Sequence, residues 1–141
     1  MRHAVMGDSV NLGSRLESVN KIYGTHLLVS EATMEVARDA FEFREIDSIV
    51  VASRDEPERI FALLGRRSAV APSLLDLAGR YAVGLAAYRR RAWGEAETAF
   101  RQCLELAPDD GPSRALLDRI PALAAKGLPE GWNGAWLLAV K

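Results

Sequence analysis

The sequence has one cysteine, two histidines and almost no net charge, with 18 Lys and Arg set against 19 Asp and Glu in 141 residues. A lone cysteine, Cys103, allows no internal disulfide; it suits a reducing compartment and reads as a small buried apolar side chain. His3 and His26 have no His, Cys or carboxylate at ligand spacing, so no zinc site is expected, and both read as surface residues. A net charge of −1 excludes nucleic acid as an expected partner, since that binding needs a concentrated basic excess. The only basic cluster, "YRRRAW" at 88–93, reads as a solvated helix face. No uncharged run approaches the roughly 18 to 20 residues of a membrane span, and no signal-peptide core opens the chain, so it reads as soluble. What remains is 49% apolar residues, enough for one domain or two small modules.

The first 65 residues alternate helix and strand signals. Asp8 or Ser9 can cap a helix running to Tyr23, in which Leu12, Leu16, Val19 and Tyr23 recur as one apolar stripe and Gly24 supplies the stop. "THLLVS" (25–30) reads as a buried strand, and Ser30 caps a second helix, "EATMEVARDA". "FEFREIDSIVV" (41–51) alternates as a strand with one wet face, and "RIFALLG" (59–65) completes an antiparallel hairpin across the turn "ASRDEPE". The pattern is α+β with three strands. Periodicity lapses at "RRSAVAPS" (66–73), which marks a linker between a first module, 1–65, and a helical one, 74–141.

From Leu77 to Asp110 the chain resembles a single tetratricopeptide repeat of about 34 residues. Gly84 falls where two helices approach closely, Trp93 at the turn, Ala96 at a small packing position, Phe100 on the second helix and Pro108 at its stop. Tyr88 stands one place later than the repeat's tyrosine, and Arg80 replaces an aromatic residue. One repeat cannot bury its own faces, so this hairpin must pack on something else. "GPSRALLDRIPALAAKG" offers one more helix, and the tryptophans of "GWNGAWLLAVK" read as packing against the helices.

Asn11 and Arg15 lie one helical turn apart, clear of the apolar stripe. Taken without any family, such a pair reads first as solvated surface. The whole run "VMGDSVNLGSRLESVNKIYGTHLLVSEAT", continued by "FEFREID" and "EPERIFALLG", resembles the second half of the catalytic domain of bacterial class III adenylate and guanylate cyclases over residues 5 to 65. The segments "GPSRALLDRI" and "GWNGAWLLAVK" look like the repeat-like tail that follows the domain in some bacterial members.

The resemblance implies a truncated ferredoxin-like half-domain followed by an all-α helix-hairpin tail. It also implies a reaction: the ribose 3'-hydroxyl of ATP or GTP attacks the α-phosphorus, expelling pyrophosphate. By motif match Asn11 would hold the ribose and Arg15 the α-phosphate; a guanidinium fork suits the phosphate better than a lysine would. The family's lysine for the outer phosphates is matched by Ala52, leaving Arg54 as the nearby candidate, and Ala4 stands at the base-reading position. The family uses two Mg or Mn ions held by aspartates of its first half, upstream of Met1 here, so no metal or other cofactor is expected on this chain. Asp8 reads as a helix cap, not a metal ligand.

The expectation is a chain inactive by itself, completed as a homodimer or by the N-terminal half of a cyclase, and cytoplasmic; whether an upstream region anchors the parent to a membrane is left open by the sequence. The other reading, from a different class, is a non-catalytic module whose helical tail binds a protein partner.

Overall fold

A computed structural model of the chain describes residues 19–20, 22–25, 27–51 and 56–138. Val19, Asn20, Ile22 and Tyr23 are helical, and Gly24 ends the turn with φ 64°, a conformation that costs glycine little. Strand β1 (Leu28–Ser30) leads directly into α1 (Glu31–Ala37), whose first turn is capped by Ser30 Oγ accepting from the Thr33 amide at 3.3 Å. Strands β2 (Phe41–Val51) and β3 (Glu58–Arg66) form the expected antiparallel hairpin, and β1 adds antiparallel to the far side of β3.

Helices α2 (Pro72–Arg89), α3 (Trp93–Leu106) and α4 (Gly111–Lys126) follow. Pro72 opens α2 within the expected 66–73 break, since a first-turn proline forfeits no helical hydrogen bond. The α2–α3 hairpin closes tightly at Gly84, where a Cβ would stand 2.6 Å from the Phe100 ring. A fourth strand, β4 (Trp136–Leu138), pairs parallel with Ile49 to Val51 of β2. The sheet order is therefore β1-β3-β2-β4, a mixed α+β arrangement.

That fourth strand corrects the three-strand reading. Trp136 opens a sheet strand and still packs on a helix, its ring centroid 3.9 Å from the Arg119 guanidinium carbon of α4; Trp132 packs on helix residues too, with its ring centroid 5.7 Å from Tyr88 and 5.9 Å from Trp93. "WLL" is too short to alternate, and so it carries no strand signal of its own.

The helices bury against the sheet. Leu28, Ile46, Ile49 and Ile60 from the strands join Leu77, Tyr81, Leu85, Phe100, Leu116 and Ile120 from the helices, together with Val19 and Tyr23, in one apolar cluster. Cys103 is buried in it, and burial pushes its thiol pKa up, which keeps the group an inert apolar filler. The basic cluster is also more than a solvated face. Tyr88 is fully buried, Arg89 bonds Glu45 at 2.9 Å, and Arg91 takes φ 64° and donates to the carbonyls of Leu128 and Pro129. Only Arg90 fits the expectation, pairing at the surface with Glu95. Among the described residues no helix is long and apolar enough to cross a membrane.

Candidate functional site

The motif residues Asn11 and Arg15, and with them Ala4, Asp8, Ala52 and Arg54, lie outside the described residues. What is described is the end of the motif-bearing segment, residues 19–20 and 22–25, and the described side chains that hold it. Val19 and Tyr23, one turn apart, are both 0% exposed, while Ile22 between them faces solvent. One face of this turn is thus pressed into the core.

Tyr23 ends the turn in a buried polar network. Its hydroxyl donates to Asp47 Oδ2 at 2.5 Å and accepts from Arg119 Nη2 at 2.9 Å, while Arg119 Nη1 donates to the same carboxylate oxygen at 2.7 Å. Asp47 Oδ1 accepts the Ser48 amide at 2.8 Å. The Trp136 ring closes the network from β4, its centroid 3.9 Å from the Arg119 guanidinium carbon. Burial, then the Asp47 charge, pushes the Tyr23 phenol pKa far up, so the hydroxyl keeps its proton. Burial alone would weaken the Arg119 cation, but the charge of Asp47 and its hydrogen bonds reverse that and raise its pKa.

Asp47 turns inward because β2 is irregular. The pairing with β3 shifts register between Glu45 and Asp47, leaving Ile46 as an extra residue. In a regular strand, residues three apart point to opposite faces; here Arg44 and Asp47 both turn to the helices. The Ile46 carbonyl, freed by the bulge, accepts from the Tyr81 hydroxyl at 2.6 Å. Burial raises the Tyr81 pKa well above the usual tyrosine range.

A second buried pair lies beside the first. Arg44 donates through Nη1 and Nη2 to the two oxygens of Asp110, both at 2.7 Å, and its guanidinium carbon sits 4.2 Å from the centroid of the Tyr81 ring. Asp110 also caps α4, accepting from the Ser113 amide at 3.2 Å and hydroxyl at 2.5 Å. Burial opposes ionisation of Asp110, yet the Arg44 and Ser113 hydrogen bonds win and hold its pKa below the ordinary value. Outside the core, Arg59 joins Glu31 at 2.7 Å and Glu45 at 3.4 Å; its bond to Glu31 lowers that carboxyl's pKa.

The two buried carboxylates do not suit a divalent metal. Asp47 and Asp110 are each committed to an arginine, and their remaining bonds go to a tyrosine and to serines. Neither network was evident in the sequence. In a simple alternation Asp47 shares a face with Phe41, Phe43 and Ile49, but its charge argues for solvent, and Arg119 counts as one more helix cation. The weak signal was an acid between Ile46 and Ile49, in a run otherwise suited to burial.

No family model matches the chain, and no solved structure matches it. Among curated proteins, it is 31% identical over 123 residues to adenylate cyclase, terminal-differentiation specific, of Dictyostelium discoideum, covering 84% of this chain and 6% of that protein. It is 36% identical over 65 residues to adenylate cyclase 1 of Rhizobium meliloti (strain 1021), covering 46% of this chain and 10% of that protein. The chain thus spans a tenth or less of the length of these relatives. Both similarities support an adenylate cyclase relationship. The longer match cannot fit within residues 1–65, so it extends into the helices.

Proposed function

We propose that this chain is the part of a class III nucleotidyl cyclase that brings Asn11 to the ribose and Arg15 to the α-phosphate of the nucleotide. The single observation that carries this reading is the similarity to two proteins named adenylate cyclase, in a chain that holds the Asn11–Arg15 motif. The reaction closes a bond from the ribose 3'-oxygen to the α-phosphorus, breaks the bond to the bridging oxygen and releases pyrophosphate. Asn11 orients the sugar so that its hydroxyl lies in line with the leaving group, and Arg15 steadies the charge on the α-phosphate as bonding changes. Arg54 contacts the outer phosphates. The relatives' names favour ATP over GTP.

On this reading the sheet is a portion of a ferredoxin-like one, the α2–α3 hairpin is tetratricopeptide-like, and the chain works in the cytoplasm. Two Mg or Mn ions, when held by carboxylates outside the described residues, would lower the pKa of the 3'-hydroxyl and offset the phosphate charge. Since Asp47 and Asp110 are committed to arginines, the metal carboxylates come from a second polypeptide segment, either the first half of a cyclase domain or an intact cyclase chain. This chain then makes no cyclic nucleotide by itself. The alternative, a free-standing interaction module, is disfavoured because the buried apolar residues of α2 to α4 form one cluster with those of the sheet.

The test is cyclic AMP formation from ATP with manganese, by the purified chain alone and mixed with a cyclase first half, with GTP as the second substrate. The expected result is no turnover alone, turnover on mixing, and loss of that turnover in Arg15→Ala. Turnover by the chain alone overturns the dependence on a second segment. Absence of turnover on mixing overturns the cyclase reading.

A further inference from the structure

We propose that Arg119 is a positioning residue, through which α4 sets the placement of the segment that carries the Asn11–Arg15 motif. The inference rests on the cyclase reading for its functional consequence, and on described geometry for its physical one.

Tyr23 is the last helical residue before Gly24, and it is gripped in two ways. Its ring is buried with Val19 in the core, which fixes how deep the turn sits. Its hydroxyl is fixed by Asp47 from the sheet and Arg119 from α4, which sets its rotation about the helix axis. Apolar contacts alone permit small rolling and sliding movements. A hydroxyl bonded on both its donor and acceptor sides permits far less.

The choice of residues argues the same way. Burying an arginine and an aspartate is a poor route to stability, since apolar residues of similar volume commonly do as well or better. What the arrangement adds is geometry. One guanidinium fork reaches the Asp47 carboxylate through Nη1 and the Tyr23 hydroxyl through Nη2, tying a strand, a helix end and a distant helix to one planar group. The fork is itself set in place by the Trp136 ring of β4 at 3.9 Å. Four segments of the chain therefore meet at Arg119.

The apolar stripe from Leu12 to Tyr23 predicts one helix, along which Arg15 would stand two turns before Tyr23, about 12 Å away at about 1.5 Å per residue. On that expectation a rotation at Tyr23 is carried to Arg15. A misplacement on the order of 1 Å at a catalytic group costs up to about 100-fold in rate. The helical tail then belongs to the support of the nucleotide site.

The test uses the whole chain with Tyr23→Phe, Arg119→Lys and Arg119→Met. Tyr23→Phe removes one oxygen and leaves the ring, so it keeps the question decidable if an Arg119 variant fails to fold. Amide exchange is followed at residues 22–25 and at β3, beside urea midpoints. In the mixed assay with a cyclase first half, kcat and KM are measured separately.

The expected result is loss of protection at 22–25 with β3 unchanged, and a kcat lowered by about tenfold or more with little change in KM. Arg119→Lys, which keeps the charge without the fork, should behave like Arg119→Met. Uniform loss of protection across the sheet, or an Arg119→Lys variant equal to wild type, overturns the proposal. A wild-type mixture that makes no cyclic nucleotide defeats the cyclase reading alone, and the exchange data then decide the positioning role.

Discussion

Arg44 and Asp110 meet across the boundary between sheet and helices, with two guanidinium nitrogens each 2.7 Å from a carboxylate oxygen and both side chains under 10% exposed. Breaking such a pair from one side strands a buried charge. Arg44→Met or Asp110→Asn is expected to cost about 3–5 kcal/mol in urea unfolding. The double variant should cost less than the sum of the two, because neither charge is then left alone. Additive losses would mean the two side chains do not depend on each other.

The same pair makes stability depend on acid. Asp110 has a folded pKa below its unfolded value of about 3.9. Its contribution is therefore complete above the unfolded pKa and is lost as pH falls through the folded one. Urea midpoints measured between about pH 6 and pH 2 should fall across the acid end of that range, and the fall should be shallower in Asp110→Asn, which has no proton to take up.

Two glycines of α2 predict opposite outcomes for one substitution. Gly84→Ala drives a Cβ to 2.6 Å from the Phe100 ring, and overpacking of this kind costs about 1–3 kcal/mol. Gly79 has nothing within 4 Å of an added Cβ, so Gly79→Ala should gain up to about 1 kcal/mol from helix propensity. Thermal midpoints of the two variants, moving down and up respectively, check both predictions at once.

Two buried tyrosines differ in the same manner. The Tyr81 hydroxyl satisfies the Ile46 carbonyl at the bulge, whereas the Tyr88 hydroxyl has no hydrogen-bond partner among the described residues. Tyr81→Phe should cost about 1–3 kcal/mol by orphaning a buried carbonyl. Tyr88→Phe should be neutral or slightly stabilising, since it removes a hydroxyl that burial serves poorly. A marked loss in Tyr88→Phe would point to a hydrogen-bonded water at that hydroxyl.

The parts of the fold legible in the sequence were those governed by local rules. Phe41 to Val51 alternates and is a strand over that span; Ser30 caps, Gly24 turns, and Gly84 lies at the close approach of two helices. What escaped was non-local. The bulge at Ile46 carries no glycine or proline to announce it, yet it decides that Asp47 faces inward. β4 gains its identity only by lying beside β2. Of the candidate site, Asn11 and Arg15 were legible as a motif, while its support was not, because Arg119 and Asp47 are 72 residues apart and neither looks buried on its own.

That separation bears on how the chain is made. The β2–β3 hairpin can form as soon as its residues leave the ribosome, but its helix-facing side then carries Arg44, Asp47, Ile49 and Ile60 with nothing over them. Their cover, from Tyr81 through Arg119 to Trp136, is synthesised later. From the completion of β3 until Trp136 is made, the nascent polypeptide therefore holds a half-finished sheet with two bare charges and an open apolar face, a form suited to capture by chaperones and prone to aggregate where they are scarce.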